Sequence, residues 1–352
     1  MLLMWSQLPW LLLDRGLVPD PLVRVGIRNR LADTLKREDH DDPIERGRRR
    51  DELIAELRKS PIALATDTAN EQHYELPTEF FRMVLGEHLK YSSAWWGPGI
   101  DDLDQAEKSM LDLTFRRADL VDGQRILELG CGWGSLTLWM AERLPSSSIV
   151  AVSNSATQRE HILGEAARRG LSNVTVETAD INDFAPEGTF DRIVSVEMFE
   201  HVRNYERLFA RLGSWLHDDG KLFVHIFCHR RSAYPYGREG RDDWMAEHFF
   251  AGGMMPSASL LLAFAALDSE RPFGLESQWL VNGQHYQRTS DAWLANMDRH
   301  RKALEPIFAD VYGSDHRRWW TYWRLFFMAC AELFGYREGE EWMVAHYRFA
   351  RR

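Results

Sequence analysis

Cysteine is scarce in this sequence, with three residues in 352. Cys131, Cys228 and Cys330 share no metal-ligand spacing, and an odd count without a secretory leader fits a reducing compartment. No disulfide and no metal are expected, and the expected location is cytoplasmic. A surplus of positive charge is also missing: 43 Lys and Arg against 53 Asp and Glu leave a formal net charge of −10, with a pI near 5.7. That balance argues against a broad polyanion-binding surface, so no nucleic acid partner is expected. No apolar run is long enough to cross a bilayer. The opening MLLMWSQLPWLLL stops at Asp14 and lacks both the basic start and the small-residue cleavage site of a signal peptide. It is expected to stay on the mature protein, without integral membrane association. Internal repeats and low-complexity segments are absent as well.

What is present is an ordinary globular composition, 45% hydrophobic, in a chain long enough for one large domain or two smaller ones. Fourteen tryptophans and eighteen phenylalanines are many. Most belong in a core, and a surplus can line an apolar or aromatic pocket.

The chain is organised around RILELGCGWG, residues 125–134. β-Formers ending in an acid run into glycines at 130, 132 and 134, which allow a tight turn and leave main-chain N–H groups open to a ligand. SLTLWMAERL then opens a helix. The pattern E-x-G-x-G-x-G differs from the G-x-G-x-x-G of dinucleotide sites, because Glu128 at the strand end suits a cationic group better than a pyrophosphate. S-adenosylmethionine, which carries an ammonium, fits that loop; on the plainer reading it is a glycine-rich turn in any βαβ unit.

Residues 1–66 read as a helical extension. Leu17, Val18, Leu22, Val25 and Leu31 form an apolar stripe expected to pack on the main domain, with membrane-surface attachment as the alternative. The main domain is assigned to 67–352. From 70 to 97, aromatic and small polar residues crowd together as in a ligand-lining lid. Strands are predicted at 125–129, 148–153, 173–177, 190–196 and 221–227, and helices at 135–144, 156–169 and 202–216. This alternation means a parallel sheet, whose ligands bind beyond the carboxyl ends of the strands. The alternation stops at 230, and the segment to about 279 reads as a cap insertion over the strand ends. A final strand, WMVAHYRFAR, is expected to close the sheet.

Methyl transfer from a sulfonium needs an acceptor lone pair held against the methyl carbon and a group to take the acceptor's proton. SVEMFEHV sets Glu197, Glu200 and His201 just past the fourth strand. On a helical turn Glu197 and His201 would share one face, the acid attracting an ammonium substrate and the imidazole taking its proton. Ser153 and Gln158 after the second strand suit ribose hydroxyls, although Ser155 as a helix cap explains the segment equally well. Asp180 and Ile181 suit an adenine amino group and ring face. His225 and His229, four apart, lack a third ligand to make a metal site.

At these motifs the chain resembles the cyclopropane fatty acid synthase superfamily of S-adenosylmethionine-dependent methyltransferases, and within it the coclaurine N-methyltransferase group. The resemblance covers nearly the whole chain, through VPDPLVRVGIR, TDTANEQHYELPTEFF, KYSSAWW, ELGCGWGSLTLW, SNSATQ, ADINDF, SVEMFEHV, FVHIFCH, MPSASLLL, WLVNGQHY and ELFGYREGEEWMVAH. It implies an α/β fold: a Rossmann-like class I methyltransferase sheet with an N-terminal helical extension and a helical cap insertion. It implies S-adenosylmethionine as cofactor, leaving S-adenosylhomocysteine, held by Tyr91, Ser92, Gly130, Gly132, Ser153, Gln158, Asp180 and Ile181 beside Glu128. Tyr74, Glu75, His225, Phe227, Trp244 and Tyr286 are the substrate-side candidates. Lipid-modifying members are similar in holding bicarbonate at positions that fall here at Ser93, Glu200, His225 and Tyr286. Here a serine stands where those enzymes carry a cysteine, and Glu197 where they tend to carry glycine. The coclaurine group assigns its first Glu of E-M-F-E-H and its His to catalysis. An amine N-methyltransferase, a lipid-modifying enzyme acting on unsaturated acyl chains and a silent cofactor-binding scaffold remain in play, in that order. The sequence names no particular amine and leaves the oligomeric state open, a homodimer included.

Overall fold

The structure is a computed structural model, and it describes residues 12–39, 41–64, 76–237, 244–265 and 272–352. Five strands alternate with helices as the sequence pattern requires: β1 (Arg125–Leu129), β2 (Ser148–Ser153), β3 (Val174–Thr178), β4 (Phe190–Val196) and β5 (Leu216–His229). They pair in parallel throughout. β6 (Phe273–Val281) and β7 (Trp342–Arg351) join antiparallel, giving the order β3-β2-β1-β4-β5-β7-β6. Residues 126–129 and 149–153 are buried without interruption, as strands covered on both faces must be.

The chain leaves β1 toward β2 and β3 on one side, then returns to β4 and β5 on the other. β1 and β4 therefore flank the topological switch point, where a crevice opens beyond the strand ends. The glycine loop after β1 and the acidic segment after β4 face that crevice together.

Helices α1 (Asp20–Glu38), α2 (Pro43–Leu57), α3 (Leu103–Arg117), α4 (Ser135–Arg143), α5 (Ala156–Arg169) and α6 (Tyr205–Trp215) are followed by a helical block between β6 and β7. That block is α7 (Gln284–Arg299), α8 (Arg301–Tyr312) and α9 (His316–Gly335). Much of the aromatic surplus goes into the core here: Phe80, Phe81, Phe249, Trp293, Trp323 and Phe327 are fully buried together.

Several expectations shift. The helix expected from 202 begins at Tyr205, because Asn204 Oδ1 accepts the Arg207 N–H at 3.0 Å and caps it there. The strand expected over 221–227 is longer at both ends. Residues 273–279 of the expected cap are not cap at all: they form most of β6, the edge strand. Its burial never settles into a clean alternation, which is why the period-2 signal is weak.

The extension also docks differently from the expected stripe. Leu17, Leu22 and Val25 are exposed, and only Val18 and Leu31 of the five pack against the core. α1 buries Val23 and Leu35 in the core with Ile27 and Leu31 beside them, and ion pairs join it to the helical block, Arg24 with Asp291 and Glu332, Arg28 with Glu332, and Arg324 with Asp20. α2 does bury an apolar pair, Leu53 and Leu57, against the opposite face of the sheet.

Candidate active site

The loop after β1 has the geometry its glycines predict. Gly130, Gly132 and Gly134 all take positive φ, at 76°, 52° and 81°. A Cβ on Gly130 would lie 2.7 Å from Met198 Cβ, so the loop presses directly on the segment after β4. A Cβ on Gly132 would meet nothing within 4 Å, leaving that face of the loop open to a ligand. Glu128 is buried and turned inward: its carboxylate accepts the Thr137 hydroxyl at 2.5 Å, and burial pushes its pKa up to about 8. It braces the loop against the first turn of α4, and no described cation meets it.

Beyond β2, Ser153 Oγ donates to Gln158 Oε1 at 2.6 Å and accepts the Ser155 N–H at 3.0 Å. Ser155 caps α5 through the Gln158 N–H, as the capping explanation requires. Gln158 Nε2 is buried and has no hydrogen-bond partner among the described residues, a donor left for a ligand hydroxyl. Asp180 closes a turn by accepting the Asn182 N–H at 2.7 Å, with Ile181 beside it on the apolar core. Tyr91 packs on Phe81 and Trp293, and Ser92 Oγ accepts from the buried ammonium of Lys90. Lys90 also donates to the Ser93 carbonyl at 2.8 Å, which ties down the whole KYSS turn. Burial lowers the pKa of Lys90 to about 8.

At the centre stands Glu197, in the left-handed region at φ 48°, a strained conformation for a residue with a side chain. Its carboxylate takes three donors. Oε1 accepts the Ser93 N–H at 2.9 Å and faces His225 Nε2 at 3.0 Å, while Oε2 accepts the Tyr286 hydroxyl at 2.6 Å. Burial raises its pKa, and Lys90 and these donors oppose the rise. Glu200 is fully buried, receives only the Phe227 N–H at 2.7 Å on Oε1, and has no described partner for Oε2. Burial, then the neighbouring Glu197 charge, drive its pKa well above the carboxylate range. Of the two acids Glu197 is the one better supported as a carboxylate, because it holds three donors to one.

Three of the positions that the resemblance links to bicarbonate, Ser93 through its backbone, His225 and Tyr286, thus point at the carboxylate of Glu197 itself. The fourth, Glu200, is turned to Phe227.

The helical face shared by Glu197 and His201 does not form. Glu197 leaves β4 in a left-handed turn, and only Phe199–His201 makes a 3-10 turn, so the four-residue spacing carries no shared face. His201 lies instead against Phe250 of the cap, rings stacked at 4.7 Å, and burial lowers its pKa to about 4. His225 is fully buried with one nitrogen on Glu197 and the other on His346, so it acts through Glu197 and offers a substrate no nitrogen. Phe227 packs at its ring edge against Phe250 and Phe334, and Phe334 stacks on Tyr286 at 4.2 Å. These rings form one aromatic wall from His201 to Glu197. Trp244 stands apart from it, against Phe249 and Tyr322. Trp96 donates to Thr289 and carries Arg288 on its ring, and Trp95 stacks on His285. Tyr74 and Glu75 lie outside the described residues.

Sequence reasoning missed Lys90, Phe250, Phe334, His346 and Arg117. Phe250 carried a faint signal as part of the cap, and Lys90 as part of the lid segment and of KYSSAWW; Phe334, His346 and Arg117 lie outside every segment read as part of the site. His229 goes to a different grouping, with Asp39 and Glu341. Its Nδ1 accepts the N–H groups of Ser232 and Arg231, so its proton sits on Nε2, facing Glu341 at 3.4 Å. Arg230, Arg231 and Arg337 pair with the two acids, three cations against two anions, at the seam between extension and cap. A cleft of about 760 Å³ among the described residues is lined by Trp133, Trp96 and His161.

Comparison with known proteins agrees with this geometry. The family model described as mycolic acid cyclopropane synthetase matches residues 64–342. (S)-coclaurine N-methyltransferase of Thalictrum flavum subsp. glaucum is 37% identical over 345 residues, spanning 97% of this chain and 94% of that protein. Cyclopropane-fatty-acyl-phospholipid synthase of Escherichia coli (strain K12) is 32% identical, over 79% of this chain and 67% of its own length. The crystal structure of coclaurine N-methyltransferase bound to N-methylheliamine and SAH superposes with a TM-score of 0.91 at 37% identity, over 96% of this chain and 97% of that one. With its loop, its strand-end acids and this match along its length, the chain belongs to the mycolic acid cyclopropane synthetase family, as an S-adenosylmethionine-dependent methyltransferase of the coclaurine N-methyltransferase-like group.

Proposed function

We propose that this protein methylates the nitrogen of a small amine, of the benzylisoquinoline-like or other arylalkyl class, in the cytoplasm. The observation that carries this reading is Glu197: a buried acid that takes three hydrogen-bond donors beside an aromatic wall of Phe250, Phe227, Phe334 and Tyr286. Its three partners are neutral donors, so a buried charge there still lacks a contacting counter-ion, and a protonated amine supplies one where an acyl double bond does not. The rings add cation–π attraction of about 0.5–2 kcal/mol for an ammonium, and stacking for an aromatic substrate. The relatives named as coclaurine N-methyltransferases support the same substrate class.

The residues present suit S-adenosylmethionine. The open face of Gly132 and the unpartnered Gln158 Nε2 form a cradle that Tyr91, Ser92, Gly130, Ser153, Asp180 and Ile181 would complete. Bound there, the cofactor supplies an electrophilic methyl group. Glu197 draws the substrate ammonium toward the crevice and orients its nitrogen. His201, a neutral imidazole at physiological pH because burial lowers its pKa to about 4, would accept the proton that leaves the amine nitrogen and frees its lone pair, and Glu200, held protonated, adds no second negative charge. The aromatic wall excludes water around the nitrogen.

Mass spectrometry of products formed with labelled cofactor tests this, using primary, secondary and tertiary arylalkyl amines beside unsaturated phospholipid vesicles. Label on an amine nitrogen is the expected result. Label in cyclopropane or branched acyl chains with none on any amine would overturn it, and label in neither would favour a silent scaffold.

A further inference from the structure

Behind Glu197 runs a buried hydrogen-bond chain that methyl transfer alone does not require. His225 on β5 stands directly opposite His346 on β7 in the antiparallel pair. His225 Nδ1 and His346 Nε2 are 2.9 Å apart, and both rings are fully buried. His346 Nδ1 is in turn 2.9 Å from Nη1 of Arg117, the last residue of α3. Arg117 is held there by the ring of Trp279, the partner of His346 on β6, with its guanidinium carbon 4.9 Å from the ring centre.

The chain has one direction. A guanidinium has no lone pair to offer, so Arg117 donates and His346 Nδ1 accepts. A neutral His346 must then carry its proton on Nε2 and donate it to His225 Nδ1. His225 in turn carries its proton on Nε2, where it faces Glu197 Oε1 at 3.0 Å. Both imidazoles are neutral: burial first, and then the cationic neighbours Arg117 and Lys90, keep their pKa values well below the ordinary histidine range. Arg117 stays charged at neutral pH, since burial lowers it only to about 10.

We propose that Arg117 and His346 are positioning residues that lock His225 as a donor to Glu197, so that Glu197 keeps its charge in a dry site and presents it to a cationic substrate. The proposal deepens the amine-methyltransferase reading and rests on it for its kinetic consequence. The lock also closes one proton route. If Glu197 were protonated and donated to His225 Nε2, both tautomers would have to invert, and His346 would meet the donors of Arg117 with a second donor. The proton taken from the amine therefore leaves by another path than this chain.

The experiment compares His346→Leu, which breaks the chain, with His346→Gln, whose amide can still donate to His225, and Arg117→Met with Arg117→Lys. Lys90, Tyr286, Glu200 and Cys330 also face Glu197 and are kept constant. Without the His225 donor the carboxylate is easier to protonate. The acid limb of kcat/KM for a cationic amine should then move to higher pH, and kcat/KM at pH 7 should fall about 10- to 100-fold, the size of one hydrogen bond to a charged group. His346→Gln and Arg117→Lys should recover most of it. A folded His346→Leu with an unmoved acid limb would overturn the proposal. A second readout needs no activity: nitrogen-15 NMR should find His225 and His346 neutral with protons on Nε2 from pH 6 to 9. Either ring protonated on Nδ1 overturns the lock. If the wild-type protein methylates no amine, the functional reading fails by that result alone, and the NMR still decides the chain.

Discussion

Replacing Glu197 by glutamine separates what this side chain does for the fold from what it does for the reaction. The Ser93 N–H and His225 Nε2 both point at Oε1, whereas Tyr286 alone points at Oε2. A glutamine can keep its oxygen where Oε1 was and set its NH₂ against the Tyr286 hydroxyl, which rotates from donor to acceptor. One hydrogen bond is then reversed rather than lost, and the expected cost in stability is only ~1 kcal/mol. The negative charge is gone, however, and with it the attraction for an ammonium and any help in taking up its proton. Turnover at neutral pH should fall roughly 10²–10⁴-fold, equivalent to ~3–5 kcal/mol of transition-state stabilisation. The loss should shrink as pH rises, because a substrate that arrives as the free amine needs no counter-ion. Initial rates with an arylalkyl amine, read from pH 6 to 10 alongside calorimetry with S-adenosylhomocysteine, make the test. Full turnover of the variant at neutral pH would refute the reasoning, and so would a loss matched by equally weakened cofactor affinity.

Gly132→Val should abolish cofactor binding in calorimetry: a φ of 52° costs a branched residue on the order of 1–3 kcal/mol, and the side chain would enter the open face of the loop. Undiminished affinity in that variant would refute the loop assignment. His201→Ala should lower turnover by roughly 10²–10⁴-fold while cofactor affinity holds. The same residue makes an acid-stability prediction. Its folded pKa of about 4 lies below the ordinary 6.5, so the unfolded chain binds the extra proton, and His201 weakens the fold as pH falls from 6.5 toward 4. Urea titrations across that window should show a flatter pH dependence for His201→Phe than for wild type, and equal slopes would argue against the burial.

Much of the fold was legible because it is written in local periodicity. The glycine loop, the alternation of strands and helices, and the polar residues just past β2, β3 and β4 all follow from which backbone conformations and buried faces those residues allow. Ser153, Gln158 and Asp180 stand where a parallel sheet puts its ligand positions, and the aromatic surplus went largely to the core. β6 escaped notice because an edge strand with mixed burial has no clean alternation to read. The apolar stripe of the extension misled for the opposite reason: its spacing was helical, but α1 turns Val23, Ile27, Leu31 and Leu35 to the core, which leaves Leu22 and Val25 outside.

The active centre itself was decided by tertiary structure. The motif E-M-F-E-H set Glu197 just past β4, yet its spacing suggested a helical face that a left-handed residue at 197 does not make. What surrounds that carboxylate comes from far along the chain: Ser93 before the sheet, Tyr286 on α7, His225 on β5, and behind it His346 and Arg117. His225 meets His346 only because β7 returns antiparallel beside β5 in one register, and Arg117 reaches them only because α3 ends over β6. A sequence fixes which donors and acceptors exist. Which of them meet, and hence which atom holds each proton, is set by strand register and helix packing, because a hydrogen bond tolerates only a few tenths of an ångström and local spacing carries no information across a hundred residues.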